Sequence, residues 1–184
     1  MQPRVENARK KLMSRGKKTL LKSGYGGIVI AELTAACGMA AGTFYNYFRS
    51  KDELVSQIIS DDWAALLKKV RKQMAQPENR YENLRCLYEC LADFQRKYGF
   101  VATGTIVKNE GILRSEQENL QLLYDIMTEK IQQETERSML NFGTAPETAA
   151  YMIVQICMVA GRNPEIRFDD VWNFLHVGNP AFGR

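Results

Sequence analysis

Apolar residues along this chain recur three and four positions apart, and no strand-length run alternates convincingly. Leu12, Gly16 and Leu20 repeat every fourth residue and mark one face of a first helix. Lys10, Lys11, Arg15, Lys17, Lys18 and Lys22 occupy its other faces. "SGYGG", residues 23–27, ends that helix, with Gly24 suited to the left-handed position that follows a helix. A short second helix is expected over 29–36, with Ile30 and Leu33 inward, and a third over 40–48 after a break at Gly38. In "RSKDEL", Ser50 is a good N-cap, and Glu53, three residues on, completes a capping box. The fourth helix then runs to about residue 75 through Leu54, Ile58, Trp63, Leu66, Leu67 and Val70, with Pro77 as its stop.

A fifth helix is expected over 81–98, followed by a looser link over 99–105. A long helix over 115–141 carries Leu120, Leu123, Met127 and Ile131 on one side. An apolar helix follows over 146–160, with Thr144 as its cap, and a short last one over 169–178. The pattern predicts an all-α protein of about nine helices, without internal repeats.

The run "GMAAGTFYNYF", residues 38–48, fits neither a one-sided helix nor a strand. Two short helices joined by a Gly-containing turn form a helix-turn-helix pattern. Ala35, Ala36 and Gly38 are small enough for close crossing, and Gly38 supplies a turn conformation that a Cβ resists. Met39 and Phe44 have the spacing to pack inward with Leu33, and Phe48 also reads as core. Ala40, Ala41, Thr43, Asn46 and Tyr47 form a compact outer face. Such a helix fits a DNA major groove, about 12 Å wide.

Charge sharpens that picture. The 184 residues carry a net charge of +4, unevenly spread. Residues 1–60 hold ten Lys and Arg against four Asp and Glu, while the remainder holds fifteen against seventeen. The basic first third suits a nucleic acid or an anionic surface, and equally a solvated basic helix. No run of about 18 apolar residues exists to span a membrane. The basic N-terminus lacks a signal peptide's apolar stretch, so a cytoplasmic location is expected.

The chemistry of catalysis is thin. His176 is the only histidine, which disfavours a His-based triad. The pairs Asp61–Asp62 and Asp169–Asp170 read as helix-end or surface acids. Gly99 and Gly104 are not followed by the Lys of a phosphate loop. Cys37, Cys86, Cys90 and Cys157 read as buried free thiols. Cys86 and Cys90 have the i, i+4 spacing of a redox or metal pair, but the chain lacks the histidines and suitably spaced acids a metal site needs. No catalytic residue, metal or cofactor is expected.

Residues 24–55, "GYGGIVIAELTAACGMAAGTFYNYFRSKDELV", resemble the DNA-binding domain of the TetR family of bacterial regulators. The resemblance rests on the Gly-Tyr after helix one, the register "IAELTAACG", and "GTFYNYFRSKDEL", and it covers about the first 60 residues. It implies a three-helix helix-turn-helix domain over 1–52 and a helical ligand-binding and dimerisation domain over 53–184. It places Ala40 and Ala41 on the recognition helix and Gly42 and Thr43 at the end that meets base edges. It puts Tyr45, Tyr47 and Lys51 where the family grips phosphates, and Asn46 where it can read adenine. Ala40, Ala41 and Val29 are apolar where the family often has Ser, a basic residue and Thr.

In the second domain, Cys86, Cys90, Phe94, Tyr98, Phe100, Tyr124, Met127, Tyr151 and Met152 are candidates to line an adaptable ligand pocket. Ile153, Ile156, Val159, Trp172 and Leu175 are candidates for a dimer interface on the last two helices. The resemblance implies a ligand-responsive homodimer, acting as a repressor on a palindromic double-stranded operator and answering to an unknown small-molecule effector, with no membrane partner. The alternative is a helical small-molecule binding protein or enzyme that no longer reads DNA.

Overall fold

The structure, a computed structural model, describes residues 3–76, 79–104, 110–137 and 142–177. Among these there are seven α-helices and one 3-10 helix, and no strand. The α-helices are α1 (Pro3–Ser23), α2 (Ile30–Ala36), α3 (Lys51–Met74), α4 (Arg80–Gly104), α5 (Glu110–Glu136), α6 (Pro146–Arg162) and α7 (Phe168–Val177). The 3-10 helix, Ala41–Asn46, lies between α2 and α3. The all-α class holds. The expected looser link is different: α4 runs through Gly99 as far as Gly104, and α5 starts at Glu110. One interior glycine costs a helix only about 1 kcal/mol, which a 25-residue helix absorbs. Pro77 and Thr105 lie outside the described residues.

The chain divides into two compact units, Met1–Asp62 with Phe100–Ser115, and Trp63–Gly99 with Glu116–Arg184. The first unit's core contains Leu12 and Leu20 of α1, Leu33 of α2, Phe44 of the 3-10 helix, Phe48, and Leu54, Val55 and Ile58 of α3. Each such side chain stabilises by roughly 2 kcal/mol when fully buried. Gly16 faces α3 on this seam. A Cβ there would stand 3.0 Å from Leu54 Cδ2 and 3.3 Å from Ile58 Cδ1. The four-residue repeat of α1 is therefore a contact line with α3, and the Lys17 ammonium closes it by an ion pair with Asp62.

In the second unit, Trp63 of α3 stacks at 4.4 Å on Phe94 of α4, which meets Tyr98 at 5.0 Å. α6 lies close to α4, because a Cβ on Gly161 would come within 2.8 Å of Ala92 Cα. α7 and the residues leading into it are held to α4 by ring contacts and by hydrogen bonds from two tyrosines, Tyr81 to Asp169 at 3.3 Å being one. Tyr81 meets Phe168 and Trp172 edge-on at 5.0 and 4.9 Å, and the Tyr88 hydroxyl donates to the Ile166 carbonyl at 2.6 Å. Buried Glu134 is neutralised by Arg80 at 3.3 Å and Lys130 at 3.2 Å. The N-cap of α6 is Ala145, with no side-chain cap, and not Thr144. Pro146 starts the helix instead, its missing N–H being one that no intrahelical carbonyl would accept.

Candidate nucleic-acid interface

The turn after α2 is built by backbone hydrogen bonds and one left-handed residue. Cys37 N–H and Met39 N–H both donate to the Thr34 carbonyl, at 3.0 and 2.9 Å, and Gly38 N–H donates to Ala35 at 3.0 Å. Gly38 has φ +71°, a conformation that costs any residue with a Cβ about 1 kcal/mol or more. Thr34 is buried because its hydroxyl is satisfied inside α2, donating toward the Ile30 and Ala31 carbonyls.

The segment expected as a third α-helix is a 3-10 helix over Ala41–Asn46. Its tighter winding places Phe44 fully inside and leaves Tyr45 61% exposed, with the two rings edge-on at 5.4 Å. Phe44 and Phe48 lie 5.5 Å apart, and the Arg9 guanidinium sits 5.3 Å from the Phe48 ring centre. Ala40, Ala41, Gly42, Tyr45 and Asn46 are exposed, and Thr43 and Tyr47 half-buried. No charged side chain occurs from Leu33 to Phe48. The exposed cations of the unit lie on other segments, among them Lys11, Arg15, Lys18 and Lys22 of α1, and Arg49.

Ser50 caps α3 as the sequence predicts, whereas Glu53 reaches one residue further back than a capping box requires. Glu53 N–H donates to Ser50 Oγ at 3.1 Å, and the Glu53 carboxylate accepts from Arg49 N–H at 2.6 Å. Lys51 is half-buried, and its ammonium donates to the Tyr25 and Ile28 carbonyls, both at 3.2 Å. It also lies 4.1 Å from the Tyr25 ring centre. The Tyr25 hydroxyl in turn donates to Asp52. Burial, then the hydrogen bond and charge of Asp52, push the Tyr25 phenol up to about 12. Sequence reading missed Tyr25 as a structural partner. The only local signal was its place beside Gly24 in the link between α1 and α2.

The remaining candidates lie in the second unit. Cys86, Cys90, Phe94, Tyr98 and Met127 are buried. Tyr124 is half-buried, its hydroxyl accepting from Gln155 Nε2 at 2.6 Å and its ring 5.4 Å from Tyr151. Tyr151 and Met152 are exposed, and the side chain of Phe100 lies outside the described residues. Trp63, absent from the sequence-based candidates, joins Phe94 and Tyr98. Its buried indole N–H has no acceptor among the described residues.

α6 has two faces. Ile153 is buried within its own chain, along with Val154, Cys157 and Ala160. Val159 is 61% exposed, Ile156 half-buried, and Phe174 of α7 is 69% exposed, while Trp172 and Leu175 are half-buried. Ile156, Val159, Ile166, Val171 and Phe174 line an apolar concavity of about 500 Å³.

Residues 12–58 match the family model described as bacterial regulatory proteins, tetR family. The HTH-type transcriptional repressor DhaR of Mycobacterium sp. (strain GP1) is 33% identical over 58 residues, which is 32% of this chain and 29% of that protein. The chain thus spans less than a third of that relative's length. Two solved structures share the fold over nearly the whole chain. The reduced form of E. coli NemR superposes with a TM-score of 0.74 at 19% identity, covering 92% of this chain and 95% of that one. A regulator of Saccharomonospora viridis, in complex with choline, gives 0.76 at 12% identity, covering 94% and 95%.

Proposed function

We propose that the protein is a ligand-responsive, dimeric DNA-binding regulator that represses transcription, because residues 12–58 match the family model of the tetR bacterial regulatory proteins. The observation that carries this reading is the uncharged exposed surface from Ala40 to Asn46, standing on a buried Phe44 and flanked by segments rich in cations. Phosphate attraction then comes from outside the reading surface, and base discrimination from within it. Thr43 and Asn46 are the hydrogen-bonding readers, with Asn46 suited to adenine. The methyl groups of Ala40 and Ala41 suit the thymine methyl, and Gly42 admits close approach. Tyr45, Tyr47 and the remaining N–H of Lys51 hold phosphates.

The proposed domains are 1–52 for DNA and 53–184 for ligand and partner. One reading unit buries too little for selective binding, so the exposed apolar stripe of α6 and α7, with Ile156, Val159, Trp172 and Leu175, is the proposed dimer interface. The effector is a small molecule bound in the second domain near Phe94, Tyr98 and Met127, where the Trp63 N–H offers an unused donor. It acts by binding two poses of the dimer with different affinity. The S. viridis protein's choline complex supports a small-molecule effector. The protein is proposed to work in the cytoplasm and not as an enzyme. Among the described residues no helix is long and apolar enough to cross a membrane. Selection from random duplex DNA tests the reading. It should enrich two related half-sites about 34–36 Å apart, and an unenriched pool refutes it.

A further inference from the structure

From Leu33 to Phe48 the chain has no Arg, Lys, Asp, Glu, Gln or His. In the major groove, guanine is most often read by the paired donors of Arg or Lys, and the cytosine amino group by an Asp or Glu acceptor. The reading surface holds neither chemistry. The charged side chains next to it in sequence are Glu32 and Arg49, both exposed. Glu32 lies in the first turn of α2, the helix that in this motif crosses the DNA backbone.

The 3-10 winding sets the order of what the surface does present. With three residues per turn, every third side chain shares an edge. Ala40, Thr43 and Asn46 therefore fall on one edge, exposed, half-buried and exposed in turn. The edge is tied at its start, where Thr43 N–H donates to the Ala40 carbonyl at 2.9 Å. Exposed Ala41 begins the next edge, whose following member, Phe44, is the buried anchor. Among the described residues no hydrogen bond engages the Thr43 hydroxyl or the Asn46 side-chain amide, so both keep their full capacity for a partner. Rising about 2.0 Å per residue, the edge runs roughly 12 Å from Ala40 to Asn46, the length of about three to four base-pair steps of 3.4 Å. Methyl groups stand at one end and an amide at the other.

We infer that the operator half-site under this surface is defined by A·T pairs, read through thymine methyls at Ala40 and Ala41 and through one adenine at Asn46, with no guanine contact. This rests on the regulator reading above and adds the class of sequence that the surface takes. A thymine methyl packs on an alanine methyl and sheds water from both. A cytosine in its place brings no methyl, and its amino group meets no acceptor on the protein. An alanine methyl is indifferent to the exocyclic group beside C5, so the contact follows the methyl and not the base that bears it.

The test uses the full chain and duplexes recovered by selection from random DNA. Their half-sites should carry thymines at one end of the contacted segment and an adenine about three to four pairs away, with no invariant guanine between. Deoxyuridine placed for thymidine at those thymines alone removes the methyl and leaves base pairing intact. Each replacement should weaken binding about fourfold, and four together in a two-fold site about 250-fold. 5-Methylcytosine paired with guanine at the same position should recover most of that loss, whereas plain cytosine should not. Ala40→Gly, at an exposed extended position that glycine adopts freely, should erase the thymidine–deoxyuridine difference at one position of each half-site and keep it at the other. Equal affinity of the parent protein for thymidine and deoxyuridine duplexes overturns the methyl contacts and leaves the regulator reading standing. An invariant guanine within the contacted segment overturns the A·T definition. Failure to bind any duplex overturns the regulator reading instead.

Discussion

Replacing Lys51 by Met keeps the apolar stem and removes the ammonium. In the structure that ammonium ties the Tyr25 and Ile28 carbonyls to the start of α3 and lies over the Tyr25 ring. Hydrogen bonds to charged groups contribute about 1.5–3 kcal/mol each, and long bonds at a half-exposed site fall at or below the lower end. An exposed cation–π contact adds about 0.5–1 kcal/mol. Lys51→Met should therefore cost about 2–3 kcal/mol, since both carbonyls lose their charged partner at once. For a chain of this size that is a fall in melting temperature of roughly 5–10 °C. Thermal unfolding followed by circular dichroism measures it. A midpoint within about 1 °C of the parent would refute the role of Lys51 as a strut between the α1–α2 link and α3.

Two glycine substitutions should have opposite signs in urea unfolding. Gly161→Ala meets Ala92 backbone atoms, so overpacking outweighs the helix-propensity gain and costs about 1 kcal/mol, whereas Gly16→Ala meets only yielding Leu54 and Ile58 tips and gains roughly 0.5 kcal/mol; equal signs would refute the packing account. Stability should decline as pH rises from 10 through 12, because the native state keeps the Tyr25 proton that the unfolded chain releases. Tyr25→Phe should remove part of that decline and leave the part due to Cys157, which falls between 9 and 12; an unaltered alkaline profile contradicts the Tyr25–Asp52 assignment. Phe174→Asp should fold normally, since the ring is largely exposed, but weaken dimerisation at least about 100-fold by burying an unpaired charge; unchanged sedimentation would move the interface elsewhere.

Much of the first unit was legible because its determinants are local. The Leu12–Gly16–Leu20 line, the Gly24 and Gly38 turns and the Ser50–Glu53 cap each depend on residues within a few positions. Gly24 and Gly38 both have positive φ, as their places after helices required. The inward setting of Phe44 and Phe48 was legible from spacing. The 3-10 winding was not, because the choice between i+3 and i+4 bonds over six residues turns on how Phe44 seats in the core. Lys51 was read as a surface cation since its acceptors lie 23 and 26 residues away. The continuation of α4 through Gly99 escaped notice because a glycine's cost is local while the helix is sustained by its whole length. Which apolar residues of α6 face outward was hidden by composition, and Ile153, a candidate for the interface, is buried. An apolar face needing a partner and one facing the chain's own core have the same residues.

The salt dependence of binding to a selected duplex tests the central claim most directly. The account places phosphate contacts on cationic and phenolic groups around an uncharged reading surface. It predicts that log affinity falls linearly with log salt, with a slope of about −0.9 per contact and at least about −4 for a dimer. Asn46→Ala should leave that slope unchanged and relax preference at one base position. A flat salt response, or no binding to any duplex at low salt, would contradict it.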